Sequence, residues 1–330
     1  MNLYPWLKIH YENIICQLIK QTSNHAIILE TQKGIGVTLL IKNIVLWLIC
    51  LNKKKIFFCK KCRNCQLINM QTYPDWYNMK SFSNKSTIGI DTIRWLCDQL
   101  FHTTKQNGKK VAYFSDMSQL TQNGTNGLLK ALEEPPKNTY FLFVNYIPFK
   151  LLPTLRSRCI SYTILPPIEQ TSIDWLKKEN FKIKETVFKT ALRINKGSPI
   201  LAKKFLLTSL WEERNTFFYN LHYSIQNNNF MHMLNNFNLG NIEKKIFWLC
   251  SLLFDAIKIK YGKKNNVINL DKINIIQLFK KQYSFVLLDN SIRSWMYCHI
   301  KLTSIIGINT ELLLTEQLLR WETILKTNSN

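Results

Sequence analysis

Two arginines separated by a single serine, Arg156 and Arg158, are the residues of this chain best suited to binding an oxyanion. They follow Pro153 closely, and each guanidinium presents a rigid fork of N–H donors that matches a phosphate or a carboxylate. Two interpretations are open at this point. The pair is either a solvated basic turn or an arginine finger, which one molecule extends to a phosphate bound by its neighbour.

Cysteines form the second group of residues with chemical potential. Four of the nine follow a C-x8-C-x2-C-x2-C spacing: Cys50, Cys59, Cys62 and Cys65. Closely spaced thiolates suit a tetrahedral Zn²⁺ with Zn–S bonds of about 2.3 Å, and the lysines that flank the cluster favour the thiolate form. Because sulfur would fill all four positions, the predicted zinc is structural rather than catalytic. Chance clustering and a redox pair are the alternatives.

Residues 31–38 are similar to a phosphate-binding loop that lacks its positive charge. A working loop has the pattern G-x4-G-K-[ST], in which the lysine neutralises the phosphates and the hydroxyl binds Mg²⁺. Gly36 and Thr38 occupy their motif positions, and Gly34 is an additional flexible position. The first glycine is replaced by Thr31 and the lysine by Val37. Valine cannot neutralise a phosphate, so we expect no ATP hydrolysis at this loop.

The residues that follow the predicted strand Lys110–Phe114 also argue against ATP hydrolysis by this chain. A magnesium-dependent ATPase needs Asp-Glu here, with the aspartate on the metal and the glutamate polarising water. This chain has Ser115 and Asp116. Serine is a poor replacement for a metal-binding carboxylate, and Asp116 is one methylene shorter than the usual base. We therefore predict a degenerate nucleotide site in which Asp116 is a structural carboxylate.

The elements that must position these residues alternate between helix and strand patterns as far as Pro167. Periodicity predicts helices over 12–21, 38–50, 92–104 and 126–134, and strands over 25–29, 74–79, 110–114, 140–145 and 161–165. Asp91 is predicted to cap the helix that begins at Thr92. Strands that alternate with helices predict a parallel sheet covered on both faces.

Only helical periodicity follows Pro167, with interruptions at 197–199 and near Gly240. We predict three domains. The first is an α/β domain over 1–167 that contains the cysteine module at 50–65. A small helical domain over 168–207 and a larger all-helical domain over 208–330 complete the chain.

The composition is that of a globular protein, and its charge is strongly positive. Hydrophobic residues make up 46% of the chain, but no apolar run reaches the roughly 18 residues of a membrane span. No signal-peptide pattern is visible, which predicts a cytoplasmic protein without membrane contact. The net charge of +23 comes from 36 Lys and only 8 Arg spread along the chain. It permits contact with nucleic acid but does not establish it.

Several motifs together resemble the AAA+ clamp-loader subunits, and among them the delta-prime family of bacterial DNA polymerase III. The matching segments lie at 3–7, 50–65, 126–136, 155–159, 197–199 and 307–313. The most specific of them are Leu-Glu-Glu-Pro-Pro at 132–136 and Ser-Arg-Cys at 157–159. The resemblance runs nearly from end to end of the chain.

This resemblance implies a AAA+ module, a helical lid and a helical collar that joins a hetero-pentameric ring. The implied partners are the gamma/tau ATPase subunits and a delta subunit, and through them the sliding clamp and primed template DNA. The chain would be a subunit of a DNA polymerase holoenzyme, which is a DNA-directed DNA polymerase that acts in DNA replication. The chain itself would not hydrolyse ATP.

The resemblance also implies roles for individual residues. It assigns structural zinc to the four cysteines and makes Arg158 the arginine finger that reaches the ATP of the next subunit. Asn145 falls at a polar sensor position, and Ile200 at a lid position where active relatives carry arginine. Gly124 and Gly127 depart from the family pattern because they replace better helix formers. Each glycine costs up to about 1 kcal/mol inside a helix.

Two other classes of protein remain as alternatives. An independent AAA+ ATPase with a divergent loop would bind ATP–Mg²⁺ as an isolated chain with micromolar affinity. A zinc-stabilised DNA-binding protein would bind DNA tightly by itself, with a steep dependence on salt.

Overall fold

A computed structural model describes residues 3–20, 25–79, 87–104, 108–146, 151–178, 183–227, 229–238, 240–263 and 266–326. The chain divides into two compact units, Met1–Pro167 and Ile168–Asn330. The finer division of the chain into three domains stays a prediction.

The first unit is built on a five-stranded sheet in which all neighbouring strands are parallel. Its strands are β1 (Ala26–Thr31), β2 (Trp76–Asn78), β3 (Lys110–Phe114), β4 (Thr139–Asn145) and β5 (Ile160–Ile164). They lie in the order β2-β3-β4-β1-β5. All six residues of β1 are buried, as expected for a central strand with a layer on each face.

Helices cover both faces of this sheet. They are α1 (Lys8–Ile19), α2 (Val37–Ile49), α3 (Arg63–Asn69), α4 (Ile90–Phe101), α5 (Gln122–Glu133) and α6 (Pro153–Arg156). Alternate residues of β1 face opposite cores, so that Ile27 packs with α1 and α2. Ile28 packs with α4 and α5 on the other face. The predicted parallel sheet flanked by helices is confirmed.

The ends of several elements differ from the sequence-based prediction. The prediction that Asp91 caps a helix is wrong, because Gly89 is the N-cap of α4 and Asp91 lies exposed in its first turn. The helix predicted over 126–134 begins earlier, at Gln122, where the Thr121 hydroxyl accepts a hydrogen bond from the Gly124 amide. The helix predicted over 12–21 is α1; residue 21 itself lies outside the described residues.

Gly124 occupies a position that excludes a side chain. A Cβ there would lie 2.9 Å from the Ile88 carbonyl oxygen, whereas a Cβ on Gly127 would lie 3.4 Å from the nearest atom, Ile93 Cγ2. The segment at Ile88 packs against this end of the helix, since its carbonyl accepts from the Thr121 amide at 3.1 Å. Gly124 is therefore required by packing, and only Gly127 is a helix-weakening residue of the expected kind.

These two glycines give a matched pair of stability predictions. We expect Gly124→Ala to lower the free energy of unfolding by about 1–3 kcal/mol, because the backbone of α5 or of Ile88 must move. Gly127→Ala should be neutral or stabilise by up to about 1 kcal/mol through helix propensity. Urea denaturation of both variants measures the difference, and equal stabilities would contradict the close contact at Gly124.

The second unit is all-helical in its described residues. Its helices are α7 (Glu169–Lys178), α8 (Glu185–Ile194), α9 (Pro199–Leu207), α10 (Ser209–Gln226), α11 (Met233–Asn238), α12 (Ile242–Lys260), α13 (Ile273–Gln282), α14 (Phe285–Ser304) and α15 (Thr310–Lys326). The fully buried Arg214 of α10 binds both carboxylate oxygens of Asp271 at 2.7 and 2.9 Å and the amide oxygen of Asn269 at 2.7 Å. This network ties α10 to the segment before α13.

None of the helices in the described part of the chain is both long and apolar enough to cross a membrane.

Candidate functional site

The four predicted cysteines come together in one cluster beside the end of α2. Their sulfur atoms all lie within 4.8 Å of one another, and each of the cysteines is a free thiol. Cys50 is the C-cap of α2 and Cys62 the N-cap of α3, so the two helix ends carry ligands at fixed positions. The Cys50 and Cys59 sulfurs are 3.5 Å apart, close to the roughly 3.8 Å separation in a tetrahedral zinc–thiolate site.

Hydrogen bonds within the cluster favour thiolate at one position. The Cys59 amide donates to Cys50 Sγ at 3.3 Å, and the Cys62 amide donates to Cys59 Sγ at 3.2 Å. Burial raises the pKa of Cys50 and of Cys65. Burial also opposes ionisation of Cys59, but backbone N–H groups of Cys62 and Lys61 outweigh it and lower its pKa to about 6. A divalent cation would favour thiolate at all four positions, and this donor set fits Zn²⁺.

Contacts to the core hold the lysine-rich segment between Cys50 and Cys59 in place. The Tyr11 hydroxyl donates to the Ile56 carbonyl at 2.8 Å, and the Trp47 indole N–H donates to the Lys55 carbonyl at 2.8 Å. The Asn64 side chain donates to the Ile49 carbonyl at 3.2 Å. The ends of α2 and α3 thus hold the cysteines, and α1 holds the segment between Cys50 and Cys59 through Tyr11, which limits how far the cysteines can move apart.

The loop between β1 and α2 carries an apolar side chain, Val37, at the position where the phosphate-loop motif has lysine. Gly34 and Gly36 have φ of 83° and 92°, values that glycine adopts without strain. Val37 is the first residue of α2 and is 3% exposed, buried in the core. The Ile35 carbonyl accepts a hydrogen bond from the Trp6 indole at 2.9 Å. The position that holds lysine in the phosphate-loop motif is therefore occupied by the buried, uncharged side chain of Val37.

The residues after β3 are engaged in a turn. Asp116 accepts hydrogen bonds from the Ser118 amide at 3.0 Å and the Ser118 hydroxyl at 2.7 Å, and so caps the 3-10 helix Met117–Gln119. Both contacts of Asp116 are ones that a structural role explains, and Thr38 is exposed.

Arg158 lies on a turn that is anchored in the core. Leu155 and Cys159, on either side, are buried in the same core cluster, while a third of the Arg158 side chain is exposed. Its Nε donates to Glu133 Oε1 at 2.7 Å and its Nη1 to the Thr154 carbonyl at 2.8 Å. Among the described residues, its hydrogen bonds go to Glu133 of α5 and to Thr154 and Ser157 of its own turn.

Arg156 is placed differently from Arg158. Its Nη2 lies 3.5 Å from Glu30 Oε2, and Glu30 is a buried carboxylate in β1. Asn145, at the end of β4, lies opposite Glu30 in the sheet and is 2% exposed. Ile200 is half-buried in α9. The roles that the resemblance assigns to Asn145 and Ile200 stay predictions.

Sequence reasoning missed both carboxylates that pair with these arginines. Glu133 belongs to the Leu-Glu-Glu-Pro-Pro motif and ends α5. A glutamate at the C-terminus of a helix is an unfavourable choice on electrostatic grounds, and that signal was available in the sequence. Glu30 directly follows the apolar run 26–29 of a predicted buried strand, where a lone carboxylate usually has a cationic partner.

Comparisons with known proteins identify the class of protein to which this fold and these sites belong. A family model described as DNA polymerase III, delta subunit matches residues 7–167, and one described as DNA polymerase III, delta subunit, C terminal matches residues 208–323. The class is therefore that of the delta-type subunits of DNA polymerase III.

Individual relatives narrow this class. DNA polymerase III subunit delta' from Buchnera aphidicola (strain APS) is 43% identical over 98% of this chain and 99% of the relative. The subunit delta' of Escherichia coli (strain K12) is 33% identical over 98% and 96%. The chain belongs to the DNA polymerase III subunit delta' family.

A solved structure of a DNA polymerase III gamma subunit-related protein from Thermotoga maritima also aligns with the chain. It has a TM-score of 0.48 and 16% identity over 96% of this chain and 100% of that protein.

Proposed function

We propose that this chain is a non-catalytic subunit of a clamp loader that supplies Arg158 in trans to ATP bound by a neighbouring ATPase subunit. The observation that carries the proposal is a contrast within one unit. Arg158 stands partly exposed on a core-anchored turn, whereas the chain's own phosphate loop buries Val37 where a lysine is needed. The chain lacks the lysine that would neutralise a phosphate in its own loop, but it carries a guanidinium at its surface. This combination is suited to a nucleotide site in which the neighbouring subunit binds ATP and this chain supplies the arginine.

The chemistry of phosphoryl transfer gives this guanidinium its value. Charge spreads over the transferred phosphoryl oxygens in the transition state, and a planar cation that approaches them stabilises that charge. In the proposed assembly the chain is one member of a hetero-pentameric ring with gamma/tau ATPase subunits and a delta subunit. ATP hydrolysis by the ring then loads the sliding clamp onto primed template DNA.

The proposal extends to the domains of the chain. The first unit serves as a AAA+ module without activity of its own, the helices over 168–207 form a lid, and those over 208–330 form the collar that joins the ring. The support is the family to which the chain belongs and the all-helical character of the second unit.

The cysteine cluster completes the proposal as the site of one structural Zn²⁺. Cys50, Cys59, Cys62 and Cys65 would hold the ion. With sulfur in all four positions no coordination site is left for water, so the ion supplies stability and no chemistry.

Reconstitution tests the proposed function. The chain alone is expected to show no saturable binding of ATP–Mg²⁺ in calorimetry, because Val37 and Ser115 remove the lysine and the carboxylate. Mixed with gamma/tau and delta subunits, it should co-elute as one complex whose ATPase is stimulated by primed DNA, and a mixture that lacks this chain is the control. Micromolar ATP binding with turnover by the isolated chain would favour the independent ATPase. Tight DNA binding with a steep salt dependence would favour the DNA-binding protein.

A further inference from the structure

Glu133 holds the guanidinium of Arg158 in one orientation. Its Oε1 accepts from both Nε and Nη2 of Arg158, with the Nε contact at 2.7 Å. On the other side, Nη1 donates to the Thr154 carbonyl at 2.8 Å and to the Ser157 hydroxyl at 3.3 Å. An arginine carries five N–H groups, and these contacts use four of them. Within the described part of the chain, these bonds leave one N–H, on Nη2, to donate to an oxygen from outside the chain.

The position of Glu133 is unfavourable for the helix that carries it. It is the last residue of α5, where the backbone carbonyls carry partial negative charge and repel a carboxylate. Glu134 follows with the same charge but does not pair with Arg158. Helix stability therefore does not account for a glutamate at position 133. The adjacent guanidinium does, because it offsets both the carboxylate and the end of the helix.

Both partners are mounted on the same core. Leu155 and Cys159 flank Arg158 and are buried together with Leu128 and Leu132 of α5. Most surface ion pairs contribute little, because two flexible side chains lose entropy when they meet. Here the backbones on both sides are already fixed, so the direction of the guanidinium follows from the fold.

We propose that Glu133 is the positioning residue for Arg158: its carboxylate sets the direction in which the guanidinium meets the phosphate of the neighbouring subunit. This inference rests on the proposed function. The pair of Arg156 with Glu30 does not position a guanidinium in the same way, because Glu30 is buried and its Oε2 lies 3.5 Å from Arg156 Nη2. Glu133 and Arg158 instead lie at the surface, with about half of the carboxylate side chain and a third of the arginine exposed.

The test compares variants in an assembled ring in which only the adjacent ATPase subunit keeps its phosphate-loop lysine. Glu133→Ala should lower kcat for DNA-stimulated ATP hydrolysis on the order of 10- to 100-fold, the size of a misplaced catalytic group. KM for ATP should stay unchanged, because the neighbour binds the nucleotide. Glu133→Gln keeps the volume but removes the charge and should lower kcat less. Glu134→Gln is the matched control and should behave as the unsubstituted chain.

A double-substitution cycle separates positioning from a structural role. In an Arg158→Ala background, Glu133→Ala should cause no further loss of kcat, because the group it positions is gone. Further loss in that background would overturn the inference, as would an increase in kcat. Weaker ring assembly or lower thermal stability of the Glu133 variants with an unchanged kcat would also overturn the inference. The ion pair would then only stabilise the fold or the ring.

The same experiment distinguishes two failures. If Arg158→Ala lowers kcat and the Glu133 variants do not, the positioning role is wrong and the proposed function stands. If Arg158→Ala leaves kcat unchanged, the finger itself is wrong, and the inference falls with it.

Discussion

Replacing Arg158 by alanine is expected to lower ATP hydrolysis at the adjacent site of the assembled ring on the order of 10³–10⁵-fold, the contribution of arginine fingers in related phosphoryl-transfer systems. The physical reason is that the guanidinium meets charge that develops only in the transition state. The loss should therefore appear in kcat and leave the affinity for ATP nearly unchanged. Single-turnover hydrolysis, in a ring whose other ATPase subunits lack the loop lysine, measures it.

Two further variants make this prediction specific. Arg158→Lys keeps the charge but loses the planar fork, and with it the paired contacts to Glu133 and the Thr154 carbonyl. We expect it to recover only part of the rate. Arg94→Ala removes another exposed arginine of the same unit, whose single ion pair to Asp91 spans 3.8 Å, and should have no effect. A rate unchanged by Arg158→Ala, in a ring shown to be intact, would contradict the finger role.

Loss of the metal is the second large effect. The purified chain should contain about one Zn per molecule, and Cys59→Ser should reduce this to nearly none, because an alcohol is a poor replacement for a thiolate ligand. Structural zinc contributes about 10–16 kcal/mol of binding energy in isolated zinc-finger peptides. In this chain the cysteines already rest on α2 and α3, so we expect a smaller loss of stability, concentrated in the segment between Cys50 and Cys65. Metal analysis and hydrogen exchange of that segment measure the two effects.

The control for the metal prediction lies in the same unit. Cys97 is a half-buried thiol in α4 outside the cluster, and Cys97→Ser should leave the zinc content unchanged. Treatment of the unsubstituted chain with a strong chelator should reproduce the hydrogen-exchange pattern of Cys59→Ser. A chain that contains no zinc after expression with ample metal, or a Cys59→Ser variant that retains it, would contradict the assignment.

The residues that could be recognised without the structure are those whose partners lie close by along the chain. The cysteine spacing predicts a cluster, and the sulfurs lie within 4.8 Å of one another, because short turns bring neighbouring ligands together in almost any fold. The missing lysine at Val37 is readable because a phosphate loop is contiguous. Alternation of apolar strands with helices predicts the parallel sheet, since a sheet buried on both faces requires it.

The end points of helices were harder to predict, for a physical reason visible in α5. The sequence predicts that Gly124 only weakens the helix and that the helix starts at residue 126. The Thr121 cap and the close approach of the Ile88 carbonyl decide both features. A segment more than 30 residues earlier in the chain thus determines where this helix starts and which residue fits there.

The arginine pair shows where the sequence alone stops. Residue types and spacing, together with the family motif, marked Arg156 and Arg158 as groups for an oxyanion and favoured the second as the finger. Only the tertiary structure decided their partners, since Glu133 lies 25 residues from Arg158 and Glu30 lies 126 residues from Arg156. The order of strands in the sheet and the packing of α5 on the turn create those contacts. Motifs of neighbouring residues can be recognised in the sequence because they depend on local geometry. The two arginine–glutamate pairs depend instead on how distant segments pack to form the core, and the sequence pattern does not specify that packing.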